Sequence, residues 1–311
     1  MTVNLLSVAK LPPLLDQSLQ DRYNFIRLSE VSDSELESLS PSIRAIAANG
    51  ESVVPGSFMA RFPNVEILSV FGVGYDGIDV PSATEQGIIV TNTPDVLTDD
   101  VADHAIALLL SIARQVPQAD RFLRADRWPN GGYPFTRKVT GARLGIVGLG
   151  RIGVTIARRA EAFGMDISYT SRQKRDKVPY LFHDDFIALA KAVDFLIVTT
   201  FGGESTRHLI NADVLDALGP HGFLINVARG SVVDEATLIE YLQDGRIAGA
   251  ALDVFETEPN VPQALRALPN VVLTPHMASA THETRAAMSN LFLANLEAHF
   301  SGAPIPARVP Q

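Results

Sequence analysis

The stretch RLGIVGLGRIGVTIARRAEAFG, Arg143 to Gly164, decides how the rest of the chain is read. It opens as an apolar strand, RLGIV, and continues as a helix from Ile152. Between the two, Gly148-Leu149-Gly150-Arg151-Ile152-Gly153 matches the pattern GxGxxG. Glycines in such a pattern also gather at ordinary turns, so the motif alone says little. A strand before it and a helix after it are what a dinucleotide-binding turn requires. Gly148 permits the tight turn, Gly150 lets backbone approach a pyrophosphate, and Gly153 lets helix and strand pack closely. The helix N-terminus would offer free N–H groups and a partial positive charge to the phosphates.

The next strand candidate, DISYT, runs into SRQKR, Ser171 to Arg175. An NAD site usually has an acid here to bond the ribose hydroxyls, and a carboxylate would repel a 2′-phosphate. This chain places Ser171, Arg172, Lys174 and Arg175 there instead. Arginine can clamp a phosphate through two N–H groups, and serine can add a hydrogen bond. The expected cofactor is therefore NADPH, with NADH the weaker alternative; the competing reading is a solvated charged loop.

Working outward, VNLLSVA, NFIRLS, IRAIAA, VEILSVF and GIIVTN precede this region as strand candidates, with helical DSELESLS and DVPSATEQ among them. A second series follows: RLGIVG, DISYT, DFLIVTT, GFLINVA, AGAALDV and VVLTPH. This alternation predicts an α/β protein with two parallel sheets. TDDVADHAIALLLSIARQV, between the two series, reads as a long helix opened by a Thr-Asp-Asp cap. HETRAAMSNLFLANLEAHFSG reads as a last helix ending at Gly302, and it is free to return to the first domain.

The 311 residues suit two domains. A net charge of −9 with no basic stripe argues against nucleic acid or anionic membrane as a general partner. The absence of cysteine excludes disulfides, thiolate zinc sites and cysteine nucleophiles. The N-terminus lacks the pattern of a signal peptide, and AIALLLSIA is too short to span a bilayer. The expectation is a cytoplasmic protein.

Three segments at strand ends carry the remaining chemistry. INVARGSVVDE holds Arg229, ALDVFETEPN holds Asp253 and Glu258, and VVLTPHMASAT holds His276. Ligands of open α/β sheets bind beyond the carboxyl ends of the strands, so these segments share a side with the glycine loop. A dinucleotide supplies hydride but no proton, and histidine is the natural donor near neutral pH. A carboxylate such as Glu258 would orient the ring and favour imidazolium. Arg229 could bind a carboxylate beside a carbonyl and stabilise the developing oxyanion. Taken singly, each could be a loop or surface residue.

The motifs FGVGYDGIDV, TNTPDVLTDDVADHAIALLL, GLGRIG, NVARG, LDVFETEP, TPHMASAT and NLEAHFSG, in this order, resemble the D-isomer-specific 2-hydroxyacid dehydrogenase family. The likeness is strongest to its NADP-dependent glyoxylate/hydroxypyruvate reductases and covers nearly the whole chain. It implies two Rossmann-like or flavodoxin-like domains with the active-site cleft between them. The substrate domain would comprise residues 1–98 and 286–311, and the NADP-binding domain residues 99–285. It implies that Arg229, Glu258 and His276 are catalytic, and that the amides of Val73 and Gly74 hold the substrate carboxylate along with Arg229. Thr98, Asp253 and the glycine loop, with Arg151 and Ile152, would contact cofactor, Asp253 at the nicotinamide carboxamide. It also implies a homodimer through the cofactor domains, with Trp128 in an arm that reaches the partner's active site or anchors the interface.

The implied reaction is NADPH-dependent reduction of glyoxylate or hydroxypyruvate to the D-2-hydroxy acid. Bulkier 2-oxo acids such as phenylpyruvate or 2-keto-gluconate are the alternative, and an NAD(P)-sensing binding protein is a more distant one. The loop at Phe201-Gly202-Gly203, which would border the adenosine, departs from the family's usual PLTPET sequence.

Overall fold

The computed structural model describes residues 3–310. The chain forms two compact units. One contains the residues up to Leu97 and those from Ala280 onward; the other is Thr98–Ser279.

The first unit holds five parallel strands: β1 (Asn4–Ser7), β2 (Asn24–Arg27), β3 (Ile43–Asn49), β4 (Ile67–Phe71) and β5 (Ile89–Thr91). Their spatial order is β2-β1-β3-β4-β5. β4, ILSVF, is buried at every position, as expected of a strand covered on both faces. The helix Asp33–Leu39 starts with a capping box in which Ser32 and Glu35 each satisfy the other's backbone amide. The last helix, His282–Ser301, starts at the Thr281 cap and stops at Gly302, which adopts φ 74°. Glycine takes that left-handed conformation without a Cβ clash. This helix lies against β4, with the Phe292 and Phe71 rings 6.5 Å apart. Beyond it the chain turns back along β5, where Thr91 and Arg308 form an antiparallel bridge.

The second unit holds seven parallel strands: β6 (Arg143–Val147), β7 (Asp166–Thr170), β8 (Leu181–Phe182), β9 (Phe195–Val198), β10 (Phe223–Asn226), β11 (Gly249–Leu252) and β12 (Val271–Leu273). Their order is β12-β11-β10-β9-β6-β7-β8. β8 has no counterpart in the sequence reading, because two residues are too few to show a period. Each face of the sheet carries its own apolar core. Leu144, Ile146, Phe195 and Ile197 pack with Ala105, Leu108 and Ile112 of the helix Thr98–Arg114. Val147, Leu196, Val198 and Leu224 pack with Val214, Leu215 and Leu238. Each fully buried Leu, Ile or Val of these cores contributes roughly 1.5–3 kcal/mol.

The Thr98–Arg114 helix begins one residue earlier than a Thr98 cap would have it. The chain turns at Asp95, with φ 69°, so Thr98 already lies in the first helical turn. Asp99 and Asp103 on this helix meet Arg159 of the helix after the glycine loop, at 3.0 Å and 2.5 Å. Among the described residues no helix is long and apolar enough to cross a membrane.

Sheet order fixes where a ligand can sit. From β6 the chain moves outward to β7 and β8, then returns to β9 on the other side of β6. The crevice between β6 and β9 is thus the topological switch point. Because all seven strands are parallel, the segments following them emerge at one edge of the sheet.

Candidate active site

The glycine loop follows β6 at the switch point. Gly148 has φ 97°, and a Cβ there would lie 3.0 Å from the backbone of Thr200. A Cβ on Gly153 would strike the Gly148 carbonyl at 2.3 Å. Thr199, just past β9, donates its hydroxyl to that same carbonyl at 2.6 Å and closes the loop from the opposite strand. Gly150 differs from both, since a Cβ there would meet nothing within 4 Å.

The helix Arg151–Glu161 starts at Gly150 with no side-chain cap. The helices starting at Ala212 and Glu235 are instead capped by Asn211 and Asp234. An uncapped helix N-terminus facing open space fits a pyrophosphate, so the residues present match the dinucleotide that the motif implies.

After β7, Arg172, Lys174 and Arg175 are all exposed. Arg172 and Lys174 make no ion pair among the described residues. The Ser171 hydroxyl donates to the Gln173 carbonyl at 2.6 Å, so in this structure its proton shapes the turn. The fully buried Tyr169 accepts the Arg175 amide at 2.8 Å and pulls the loop back over its strand. That role for Tyr169 was missed; DISYT gave it only as a strand residue.

Three strand ends on the other side of β6 bring Arg229, Glu258 and His276 onto one edge of the sheet. The His276 ring donates from Nδ1 to Glu258 Oε2 at 2.7 Å. The other oxygen of Glu258 accepts the Phe255 amide at 2.9 Å, which fixes the carboxylate plane. The hydrogen bond to Glu258 raises the His276 pKa above its ordinary value against the opposing effect of burial. The charge of Arg229 opposes the rise and that of Asp253 supports it.

Arg229 leaves β10 through a turn closed by Asn226, whose side chain accepts the Ala228 amide at 3.0 Å and donates to the Arg229 carbonyl at 2.9 Å. Asn226 is buried. Gly230 then crosses the Phe255–Glu256 backbone so closely that a Cβ would fall 1.9 Å from the Phe255 carbonyl carbon. That crossing sets the Arg229 segment directly against the segment carrying Glu258. Glu235 accepts the Glu256 amide at 3.2 Å and braces the same segment. Burial of Glu235 raises its pKa.

Asp253 is almost wholly buried. Its carboxylate accepts the Thr274 hydroxyl at 2.7 Å and the amides of Met277 and Ala278, both at 2.9 Å. Burial would push its pKa up, but the hydrogen bonds from His104, Thr274 and the two amides hold it below the usual carboxylate range. The Asp253 carbonyl also accepts the His276 amide at 2.8 Å. In this structure Asp253 braces the loop that carries His276, a role the sequence reading did not assign to it beside the expected cofactor contact. Asn226, Gly230, Glu235, His104 and Thr274 were not singled out from sequence. The glycine following Arg229 was the one local signal available among them.

Val73 and Gly74 lie in the first unit, in the loop after β4. Neither amide donates a hydrogen bond to any described residue. Two adjacent unpaired amides can receive a carboxylate. Thr98 lies at the start of the second unit. Trp128 is 66% exposed on a short turn, and Phe135 nearby is fully exposed. The Phe201 side chain is exposed, and its carbonyl accepts the Thr206 hydroxyl at 2.8 Å.

A parallel sheet with a glycine loop at its switch point and a paired histidine and carboxylate beside an arginine defines a nicotinamide-dependent oxidoreductase. The chain belongs to the D-isomer-specific 2-hydroxyacid dehydrogenase family, whose NAD binding domain matches residues 106–278. It is 46% identical to a glyoxylate/hydroxypyruvate reductase A of Arabidopsis thaliana, over 97% of each chain. It is 44% identical to a hydroxyphenylpyruvate reductase of Plectranthus scutellarioides, again over 97% of each. The crystal structure of an NADPH-dependent glyoxylate/hydroxypyruvate reductase from Sinorhizobium meliloti, in complex with NADP and malonate, superimposes with a TM-score of 0.92. That protein is 46% identical, and the match covers 99% of this chain and 97% of the other.

Proposed function

We propose that the protein reduces small 2-oxo acids, glyoxylate and hydroxypyruvate foremost, to D-2-hydroxy acids with NADPH. The observation that carries this reading is the 2.7 Å His276–Glu258 hydrogen bond on the sheet edge that also presents Arg229. The residues from Thr98 to Ser279 form the cofactor domain, and the unit holding β1–β5 forms the substrate domain.

NADPH, when bound, supplies the hydride that adds to C2 of the keto acid. The unpaired amides of Val73 and Gly74 receive the substrate carboxylate, with Arg229 as its cationic partner. As the C2 carbonyl becomes an alkoxide, Arg229 stabilises the negative charge. His276 enters the reaction as imidazolium and delivers its Nε2 proton to the alkoxide oxygen. Glu258 keeps the ring oriented through Nδ1 and favours its charged form. Asp253, through Thr274 and the amides of Met277 and Ala278, holds the loop that aims the ring. Gly148, Gly150, Arg151, Ile152 and Gly153 hold the pyrophosphate. Ser171, Arg172, Lys174 and Arg175 would hold the 2′-phosphate, and Thr98 lies where the two units join in the chain.

The exposed Trp128 and Phe135 belong to the contact of a homodimer through the cofactor domains. An apolar surface that open favours a protein partner over solvent. A chain without cysteine suits the reducing cytoplasm.

The test is a set of initial rates with NADPH and NADH, each against glyoxylate, hydroxypyruvate, phenylpyruvate and 2-keto-gluconate. Fast turnover of the two small acids with NADPH supports the reading. Preference for a bulkier acid keeps the mechanism and changes the substrate. Preference for NADH removes the 2′-phosphate argument. No turnover with any acid leaves a dinucleotide-sensing binding protein as the better account.

A further inference from the structure

The unpaired amides of Val73 and Gly74 are aimed by the neighbouring strand end. Thr93 donates its amide to the Gly72 carbonyl at 2.8 Å, and its hydroxyl accepts the Gly72 amide at 3.0 Å. Asn92 donates from Nδ2 to the Val73 carbonyl at 2.9 Å. In a trans peptide the C=O of one residue points opposite to the N–H of the next. Holding the Gly72 carbonyl therefore directs the Val73 amide, and holding the Val73 carbonyl directs the Gly74 amide. Both amides are turned away from Asn92 and Thr93, the residues that fix them.

Asn92 is itself held from a distant part of the chain. Its amide donates to the Ala307 carbonyl at 3.2 Å. Its carbonyl accepts from Asn295 Nδ2 at 3.1 Å, and Asn295 Oδ1 accepts the Ala307 amide at 3.0 Å. Asn295 is fully buried within the last helix, and Asn92 is nearly so. The Val309 amide then donates to the Val90 carbonyl at 2.9 Å and continues the seam along β5. Buried amide groups placed so that each has a partner rigidify what they join. This seam ends at the two amides that have no partner.

We propose that Asn92 is a positioning residue for the substrate carboxylate, and that Asn295 with the segment around Ala307 is its buttress. The inference rests on the reading that Val73 and Gly74 bind that carboxylate. In this role Asn92 need not touch substrate or cofactor. It acts by fixing the direction of the Gly74 N–H.

The test is steady-state kinetics of Asn92→Asp and Asn295→Asp beside the wild type, with glyoxylate and NADPH varied separately and malonate as a dicarboxylate competitor. Asn92→Asp keeps the side-chain shape but puts an oxygen against the Val73 carbonyl. Its KM for glyoxylate and its malonate inhibition constant should both rise about tenfold, the scale of one lost hydrogen bond to a charged group. The KM for NADPH should not move. Asn295→Asp should shift the same two constants by roughly threefold, since a neutral bond one step removed is lost. KM does not depend on the active fraction, so partial misfolding leaves this readout intact; if Asn92→Asp does not fold, Asn92→Ser is measured in its place. A fall in kcat alone, or an equal rise in both KM values, would overturn the positioning role. Wild-type protein that reduces no 2-oxo acid would overturn the parent reading and the inference with it, and is distinguished by the wild-type arm.

Discussion

The edge that carries Arg229, Glu258 and His276 and the loop from Ser171 to Arg175 are built in opposite ways. On the proposed catalytic edge almost every polar group is held by another. Asn226 closes the Arg229 turn, Gly230 wedges against Phe255, and Asp253 gathers the His276 loop. After β7, Arg172 and Lys174 stand in solvent without an ion pair among the described residues. Chemistry that must place a proton within a few tenths of an ångström needs the first kind of construction. Recognition of a phosphate by long cationic side chains tolerates the second, because the side chains can adapt on binding. The catalytic edge should therefore be brittle and the basic loop tunable.

That contrast can be broken at either end. Replacing His276 with Ala should lower kcat for 2-oxo-acid reduction by about 10²–10⁴, the usual contribution of a general acid. A near-normal kcat on a good substrate would mean that another group supplies the proton.

Gly230→Ala should come next. Its Cβ would overlap the Phe255 carbonyl carbon, so the Arg229 and Glu258 segments must separate. A loss of stability of about 1–3 kcal/mol is expected, read as a lower Tm, together with a fall in kcat. A variant with unchanged Tm and rate would show that the crossing is not rigid.

In the basic loop, Arg172→Ala should raise the KM for NADPH by roughly tenfold while leaving that for NADH unchanged. Folding and kcat should be untouched. If the NADPH KM does not respond, the loop is only a solvated charge cluster.

The smallest effect concerns pH. The folded-state pKa of His276 is raised by Glu258, so the pair's contribution is fully present below the free imidazole pKa and is lost as pH rises through the raised value. The reductive rate should hold across the acidic side and decline through that raised pKa. Glu258→Gln should move the decline to lower pH, and a pH–rate profile that does not shift would separate Glu258 from the proton donor.

The same contrast explains what could be read in advance. GxGxxG and the apolar runs of β1–β7 and β9–β12 are local patterns, so the two parallel sheets were legible. Arg229, Glu258 and His276 stood at strand ends and carried chemistry by residue type. The braces were not legible. Asn226, Thr274, Asn92 and Asn295 act through partners far along the chain or through backbone groups that have no letter of their own. The family resemblance makes Asp253 a cofactor contact and says nothing of its role as a brace. Its nearly complete burial and its bonds to Thr274, Met277 and Ala278 emerge only once β11 and β12 lie side by side. Two-residue β8 and the early start at Thr98 were missed for a simpler reason: a turn at Asp95 or a short edge pairing leaves no period to detect.

The return of the chain to its first sheet has a consequence for biosynthesis. The helix His282–Ser301 covers β4, and the segment around Ala307 pairs with β5, yet both emerge from the ribosome after the whole of Thr98–Ser279. The internal unit has all its strands early and can fold while translation continues. The outer sheet must wait for its last helix and for the segment around Ala307. Its strands are made before the internal unit and covered after it.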